Sequence, residues 1–580
     1  MSGGRDSNGT APDRARSGDP GPEGMLGGLR TAVVERVSAS LAEITAERLL
    51  LVWLLAAVVG VAVGYAALGF RMAIGIVQLP WLHTMSERVV TAAAAVPWWN
   101  ILLAPMLGGV LVGYLLDRYM PGKRAHAVAD VIETRALRDC HIEPKVGFWS
   151  ALLAVLSLGS GASAGREGPV VHLGAAIASW LEHRFHLPAA SRRALFAAGV
   201  AAAVSASFNA PIAGVLFAHE VILGHYAMRA LVPIVIASVA GGIVSRIHLG
   251  NFAAFAVPDY QITTYWEFPA FALLGLTCAV VAILFQLSIM TAERIVWRFE
   301  MPLALRTGLG GFAVGIIALA FPEVLGVGYE TTDAALHQKL PLLTLLALLF
   351  AKTAATAISL AVRFAGGIFS PSLYLGAVTG AAFGVIATST FPEVGASHGL
   401  YAILGMGAVA AAVLGAPIST TLICFELTGG YDMTIALLLT VAIAVALTQA
   451  LLGASFFHWQ LGRRGLFLRE GPHKSIVRSL TVASFMSESD GAGTDTPDRF
   501  DPAAGGAWLL PSDTLERALR AFDTTGENRI AVVSEHDTSR VVGLADRLRA
   551  LDAFNAALVA ASVEERSEER RVGKECRSRW

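Results

Sequence analysis

The feature that most narrows what this chain can fold into is a set of long runs without a single charge. Leu49–Phe70 is the first. At 1.5 Å per residue a helix of that length crosses about 30 Å of hydrocarbon. Further uncharged stretches are Ile101–Leu116, Val146–Gly165, Ala194–Ala218, Leu231–Ser245, Phe268–Ala292, Phe364–Pro392, His398–Phe425 and Met433–Phe457. The 580 residues are 54% hydrophobic and only 15% charged, against about 25% charged in soluble domains. The sequence therefore predicts an all-α polytopic membrane protein. Several runs are too short, or too broken by Gly and Pro, to be plain spanning helices.

Two of the broken segments repeat. Gly165-Arg-Glu-Gly-Pro169-Val-Val-His-Leu173-Gly174-Ala175 lines up with Gly367-Ile-Phe-Ser-Pro371-Ser-Leu-Tyr-Leu375-Gly376-Ala377. A second pair follows in order: Ala210-Pro211-Ile212 with Glu220, and Ala416-Pro417-Ile418 with Glu426. Two ordered matches at nearly one offset imply an internal duplication, with halves at 49–250 and 266–465. Gly/Pro breaks at equivalent places point to a binding site near the membrane midplane. In hydrocarbon, a broken helix is tolerated only where it lines a protein cavity. A helix beginning there presents free N–H groups and the positive end of its dipole, which attract anions. Pro169 and Pro371 fall where a first turn needs no N–H.

Glu167 is the sharpest residue. At such a helix end a carboxylate mimics a bound anion, plugging the site when ionised and leaving it when protonated. A plain capping carboxylate is the competing reading. Gly165 and Gly168 on either side allow close backbone approach.

Around this region the chain changes character. Residues 1–32 are rich in Gly, Ser, Pro, Asp and Arg, lack the apolar core of a signal peptide, and read as a disordered tail. Val33–Leu49 has the spacing of an amphipathic interfacial helix. The membrane region is expected over 33–465 and a linker over 466–506. A small α/β unit follows at 507–563, with a helix over Asp513–Asp523, strands at Arg529–Val533 and Val541–Ala545, and a helix over Asp546–Leu558. Residues 564–580 read as a disordered or non-native tail. The net charge of −1 argues against a nucleic-acid partner. The four cysteines have no metal-ligand spacing, and no nucleophile–base pair or phosphate loop appears. No catalytic residue, metal site or cofactor is expected, and the chain is not read as an enzyme.

The segments GREGP at 165–169, FNAPIAGVLFAHE at 208–220 and GGIFSP at 366–371 resemble the signature segments of the CLC family of chloride channels and transporters. The resemblance spans residues 45–465. It implies inverted repeats with broken half-helices, a homodimer in a lipid bilayer, and one anion pathway per subunit gated by Glu167. It places Gly165, Arg166 and Gly168, with Gly367, Ile368 and Phe369, along the central and external anion sites. In the family's first motif His126 stands for the usual serine; an imidazole N–H can donate to chloride, while a helix-surface histidine is the alternative. Phe457 takes the place of the family's anion-binding tyrosine. Both side-chain donors are thus altered, and weaker central binding is expected. Val221 stands where proton-coupled members often carry a second glutamate, and Glu220 itself reads as structural. The 507–563 unit resembles a CBS domain, a fold that in pairs can bind adenine nucleotides, here with one recognisable copy. The expectation is a multi-pass protein of the cell membrane, both termini cytoplasmic, conducting chloride in channel fashion. A chloride/proton antiporter and a non-transporting anion sensor are the alternatives.

Overall fold

The computed structural model describes residues 49–250, 265–390, 398–428, 431–466, 477, 480–488, 507–535, 537 and 540–558. The expected tails at 1–32 and 564–580, and the interfacial helix before Leu49, lie outside these residues. Among the described residues, eight helical segments are long and apolar enough to cross a membrane, from Leu49–Leu82 onward. The chain is a multi-pass membrane protein with a small α/β part near its C-terminus.

Two of the expected uncharged runs are each two helices. Ala194–Ala218 divides after the helix Ala189–Phe208, where Asn209 turns left-handed at φ +57° and Pro211 opens the helix Pro211–Phe217. His398–Phe425 divides in the same way, at Gly415 (φ +70°), before Pro417 opens Pro417–Thr428. Asn and Gly are the residues that tolerate a left-handed helix end, and proline suits a first turn. A run without charge is blind to both. Two spanning helices, Leu303–Ala320 and Leu342–Ala361, are absent from the uncharged runs because each carries one cation. Arg306 stacks 4.0 Å over Trp297 and donates to the Phe299 carbonyl at 2.9 Å. Lys352 donates to the Val324 and Gly326 carbonyls, both at 3.0 Å.

The duplication is physical as well as sequential. The helix Glu167–Phe185 packs on Ala189–Phe208 through Gly174 and Gly199. A Cβ at either would lie within 2.5 Å of the other's carbonyl oxygen. Gly376 and Gly405 do the same between Phe369–Thr390 and His398–Leu414. Without water to drive association, small residues of this kind let membrane helices meet closely.

Contacts also cross between the halves in exchanged pairs. The Ser157 hydroxyl accepts from Ala365 N at 3.0 Å, and the Ser359 hydroxyl accepts from Ser163 N at 3.1 Å. The Glu220 carboxylate accepts from Ile418 N (3.0 Å) and Ser419 N (2.7 Å), at the start of the Pro417 helix. Glu426 accepts from Ile212 N (3.0 Å) and Ala213 N (2.7 Å), at the start of the Pro211 helix. Each half thus caps a helix of the other, which is the signature of a pseudo-twofold relation. Glu220→Ala leaves two helix-start N–H groups without their acceptor. It is expected to cost about 1–3 kcal/mol and to lower the thermal midpoint of detergent-solubilised protein, with Glu426→Ala matching it.

The small α/β part is a four-stranded sheet in the order β1-β4-β3-β2, from β1 (Ser487–Glu488), β2 (Trp508–Leu509), β3 (Arg529–Val533) and β4 (Val541–Asp546). β2 pairs parallel to β3, and the other two pairings are antiparallel. The helix Leu515–Thr525 packs its apolar stripe, Leu515, Ala518 and Phe522, on the sheet. The Thr514 hydroxyl accepts from Arg517 N at its start, and Gly526 ends it at φ +71°. The expected linker over 466–506 is corrected by this core. Val482 and Phe485 are buried in it, Leu480 accepts from Leu515 N at 2.7 Å, and Ser487–Glu488 is a strand. Its few apolar residues lie beside a Gly- and Asp-rich stretch, so composition masked them.

Candidate functional site

The site lies where two loops meet across the pseudo-twofold. The helix Pro144–Gly159 ends in a turn at Gly161 (φ +99°), and the chain runs through Ser163 and Gly165 into the helix Glu167–Phe185. In the other half the helix Leu342–Ala361 ends in a turn at Arg363 (φ +78°), and the chain runs through Gly367 into the helix Phe369–Thr390. Gly165 and Gly367 exchange two hydrogen bonds of 2.7 Å, each N–H donating to the other's carbonyl. Gly168 closes on the same spot: a Cβ there would lie 3.2 Å from Gly367 Cα and 3.6 Å from Ala127 Cβ. Pro169 and Pro371 are each the third residue of their helix, as expected. Two helix N-termini, positive by their dipoles and rich in free N–H groups, therefore face one point.

The Glu167 carboxylate occupies that point. It is 1% exposed. One oxygen accepts from the Tyr329 hydroxyl at 2.7 Å and the other from the Ser370 hydroxyl at 2.5 Å. A Cβ built on Gly165 would lie 2.9 Å from the carboxylate and 3.0 Å from Ser370 N. The carboxylate thus fills space that glycine leaves open, beside a backbone N–H of the opposite half. It sits as a bound anion would.

Arg166 stands behind it, Nε 3.8 Å from the carboxylate and its guanidinium 4.7 Å over the Tyr329 ring. Arg166 also pairs with Glu87, which Arg71 holds at 2.8 and 3.0 Å. A cavity of about 490 Å³ opens onto this group and is lined by Arg71, Glu87, Arg88, Arg166 and Tyr329 among others. Three guanidinium groups against one carboxylate make its wall net positive, which raises the local concentration of anions.

The structure brings Gly165, Arg166, Glu167, Gly168 and Gly367 together. Ile368 is buried in the turn that starts the second helix, and the Phe369 ring packs on Phe208 and Phe217 at 4.9 and 6.0 Å. His126 is partly buried, its backbone N–H donating to the Ser150 hydroxyl at 3.1 Å and its ring edge-on to His172 at 5.4 Å. The neighbouring Ala127 is the residue that touches Gly168's open side. Phe457 lies beside Phe456 on the short helix Phe456–Gly462, which packs on Val128–Leu137 and His398–Leu414. Val221 lies in a π-helical turn, Ala218–Leu223, packed against the apolar core.

Sequence reasoning missed four residues here. Ser370 lies inside the GGIFSP segment, and its hydroxyl directly before Pro371, in the first turn of the second half-helix, is the signal that could have found it. Tyr329 follows the pair Gly326 and Gly328, a loop signal that carries no chemistry by itself. Glu87 and His172 give no local pattern; only folding brings them in.

Residues 108–449 match the family model described as voltage gated chloride channel. A ClcB-like chloride channel protein of Ralstonia nicotianae is 33% identical over 392 residues, covering 66% of this chain and 90% of that protein. The voltage-gated ClC-type chloride channel ClcB of Escherichia coli is 32% identical over 405 residues, covering 69% of this chain and 96% of that protein. Among solved structures, a slow cyanobacterial Cl−/H+ antiporter superposes with a TM-score of 0.63 at 23% identity, over 71% of this chain and 97% of the other. The chain belongs to the voltage-gated chloride channel (CLC) family.

Proposed function

We propose that the protein conducts chloride across the membrane along a pathway that passes between the two half-helix N-termini, with Glu167 as its gate. The observation that carries this is the seated carboxylate, held beside Gly165 by the hydroxyls of Tyr329 and Ser370. Protonation removes the charge that the helix ends attract, so Glu167 leaves and chloride enters. Arg166 and the positive cavity wall draw anions toward the same point.

Channel-like conduction is favoured over proton exchange. Glu220 has both carboxylate oxygens engaged as a helix cap, and its neighbour is the apolar Val221. The antiporter reading is supported by the fold shared with a Cl−/H+ antiporter. The discriminating experiment is chloride efflux from liposomes holding purified protein, with internal pH recorded at the same time. Efflux without proton movement supports the channel. Proton uptake in fixed ratio to chloride supports the exchanger. No efflux, also with Glu167→Ala, leaves an anion sensor.

The resemblance supports a homodimer in the cell membrane with cytoplasmic termini. The order of strands and helix at 480–558 is consistent with a CBS-like regulatory unit. The backbone around Arg166–Gly168 and Ile368–Phe369 would hold the anion, with His126 and Phe457 flanking the inner end. Restoring a hydroxyl with His126→Ser is expected to tighten chloride binding about tenfold, the worth of one hydrogen bond to an ion. Calorimetric titration checks this, and unchanged affinity places His126 outside the pathway.

A further inference from the structure

A lysine lies buried behind the gate with no acid paired to it among the described residues. Lys352, in the middle of the helix Leu342–Ala361, is completely enclosed. Among the described residues it forms no ion pair. Its ammonium instead donates to the carbonyls of Val324 and Gly326 and lies 5.0 Å over the Tyr374 ring. An ionisable group is costly inside a membrane and is usually tied to function.

Both carbonyls belong to the loop that leads into Tyr329. That loop contains two left-handed glycines, Gly326 (φ +58°) and Gly328 (φ +90°), so its own conformational preference is weak. Gly328 lies directly on the clamp: a Cβ there would sit 2.7 Å from the Tyr374 ring and 3.3 Å from the Lys352 ammonium. The next residue is Tyr329, whose hydroxyl donates to Glu167 at 2.7 Å. The route from Lys352 to the gate is therefore short: ammonium, two carbonyls, one turn of backbone, one phenol.

The pseudo-twofold gives an independent argument. Gly165 and Gly367 stand 202 residues apart in sequence, and the same offset relates Lys352 to Ser150 and Gly328 to His126. The Ser150 hydroxyl accepts from His126 N. In each half, then, the same helix position ties down the residues that enter a short helix beside the site. Only in the second half is the tie an ammonium, and only there does the tied loop present a hydroxyl to Glu167.

We propose that Lys352 is a positioning residue of the gate. By fixing Val324 and Gly326 it holds the Tyr329 hydroxyl on Glu167 and so favours the seated, closed carboxylate. The inference rests on the reading of Glu167 as gate. The groups facing that carboxylate are Arg166, Tyr329 and Ser370, with Glu87 behind Arg166, and Lys352 acts on it through Tyr329.

The test is chloride efflux at neutral pH from liposomes holding the full chain. Glu167→Ala raising efflux establishes the gate; if it does not, that reading fails and the proposal falls with it. Given an active gate, Lys352→Met and Tyr329→Phe are each expected to raise efflux several-fold. The double variant is expected to match either single one, and Lys352→Met is expected to add nothing to Glu167→Ala. Lys352→Arg, which keeps the donors, returns efflux to the unmutated level. A gain of flux is not what damaged folding produces. Unchanged efflux in folded Lys352→Met overturns the proposal, as does an effect that adds to Tyr329→Phe. A loss of efflux also in the Glu167→Ala background would mean that the ammonium acts on the permeating anion directly, which equally overturns it. Should Lys352→Met not fold, Lys352→Gln, with a single donor group, is read against Lys352→Arg in the same way.

Discussion

Gly165→Val is expected to abolish chloride efflux, and to do so even when Glu167 is alanine. The first added atom would lie 2.9 Å from the Glu167 carboxylate, 3.0 Å from Ser370 N and 3.1 Å from the Gly367 carbonyl. These contacts are tighter than ordinary packing, and valine adds two methyl groups beyond them. The side chain therefore fills the seat that an anion or the gate must use, and removing the gate does not reopen it. The paired hydrogen bonds with Gly367 involve only backbone, so the strain is local. Overpacking of this kind costs about 1–3 kcal/mol, which leaves a folded protein with a lowered thermal midpoint. Efflux assays on the single and double variants, with elution volume and melting recorded beside them, check both parts.

Glu167→Ala should do the reverse. The ionised carboxylate is held by two hydroxyl donors, two helix N-termini and Arg166. Charge-assisted hydrogen bonds are roughly twice as strong as neutral ones. Removing the carboxylate is thus expected to raise efflux at neutral pH about tenfold or more, since each 1.4 kcal/mol shifts an open–closed equilibrium by a factor of about ten.

What could be read from the sequence, and what could not, divides along physical lines. The membrane class followed from runs such as Leu49–Phe70, because hydrocarbon tolerates few charges. The duplication followed from Gly165–Pro169 and Gly367–Pro371, because the same backbone demand imposes the same glycines and prolines. The place of Glu167 at a helix start followed because a lone carboxylate between glycines before a proline is chemically conspicuous. The helix breaks at Asn209 and Gly415 do not show as a change of polarity, and only the repeated Ala-Pro-Ile segments beside them marked the place. The helices around Arg306 and Lys352 stayed hidden for the opposite reason: one buried cation interrupts an uncharged run, although a Trp297 face or two loop carbonyls satisfy it. Tyr329 and Glu87 reach Glu167 and Arg166 from far along the chain, and no local pattern records such a contact. Glu220 is an intermediate case. Its structural role could be read from its match with Glu426, but the exchange of caps between the halves needed the fold.

In the proposed gating an anion binds where the Glu167 carboxylate now sits. A crystal structure of Glu167→Gln grown in bromide, using the anomalous scattering of the ion, tests this. A bromide peak is expected between Gly165–Gly168 and Gly367–Ser370, within hydrogen-bond reach of the Tyr329 or Ser370 hydroxyl. Bromide bound elsewhere in the membrane region, with that seat empty or filled by the glutamine side chain alone, would contradict it.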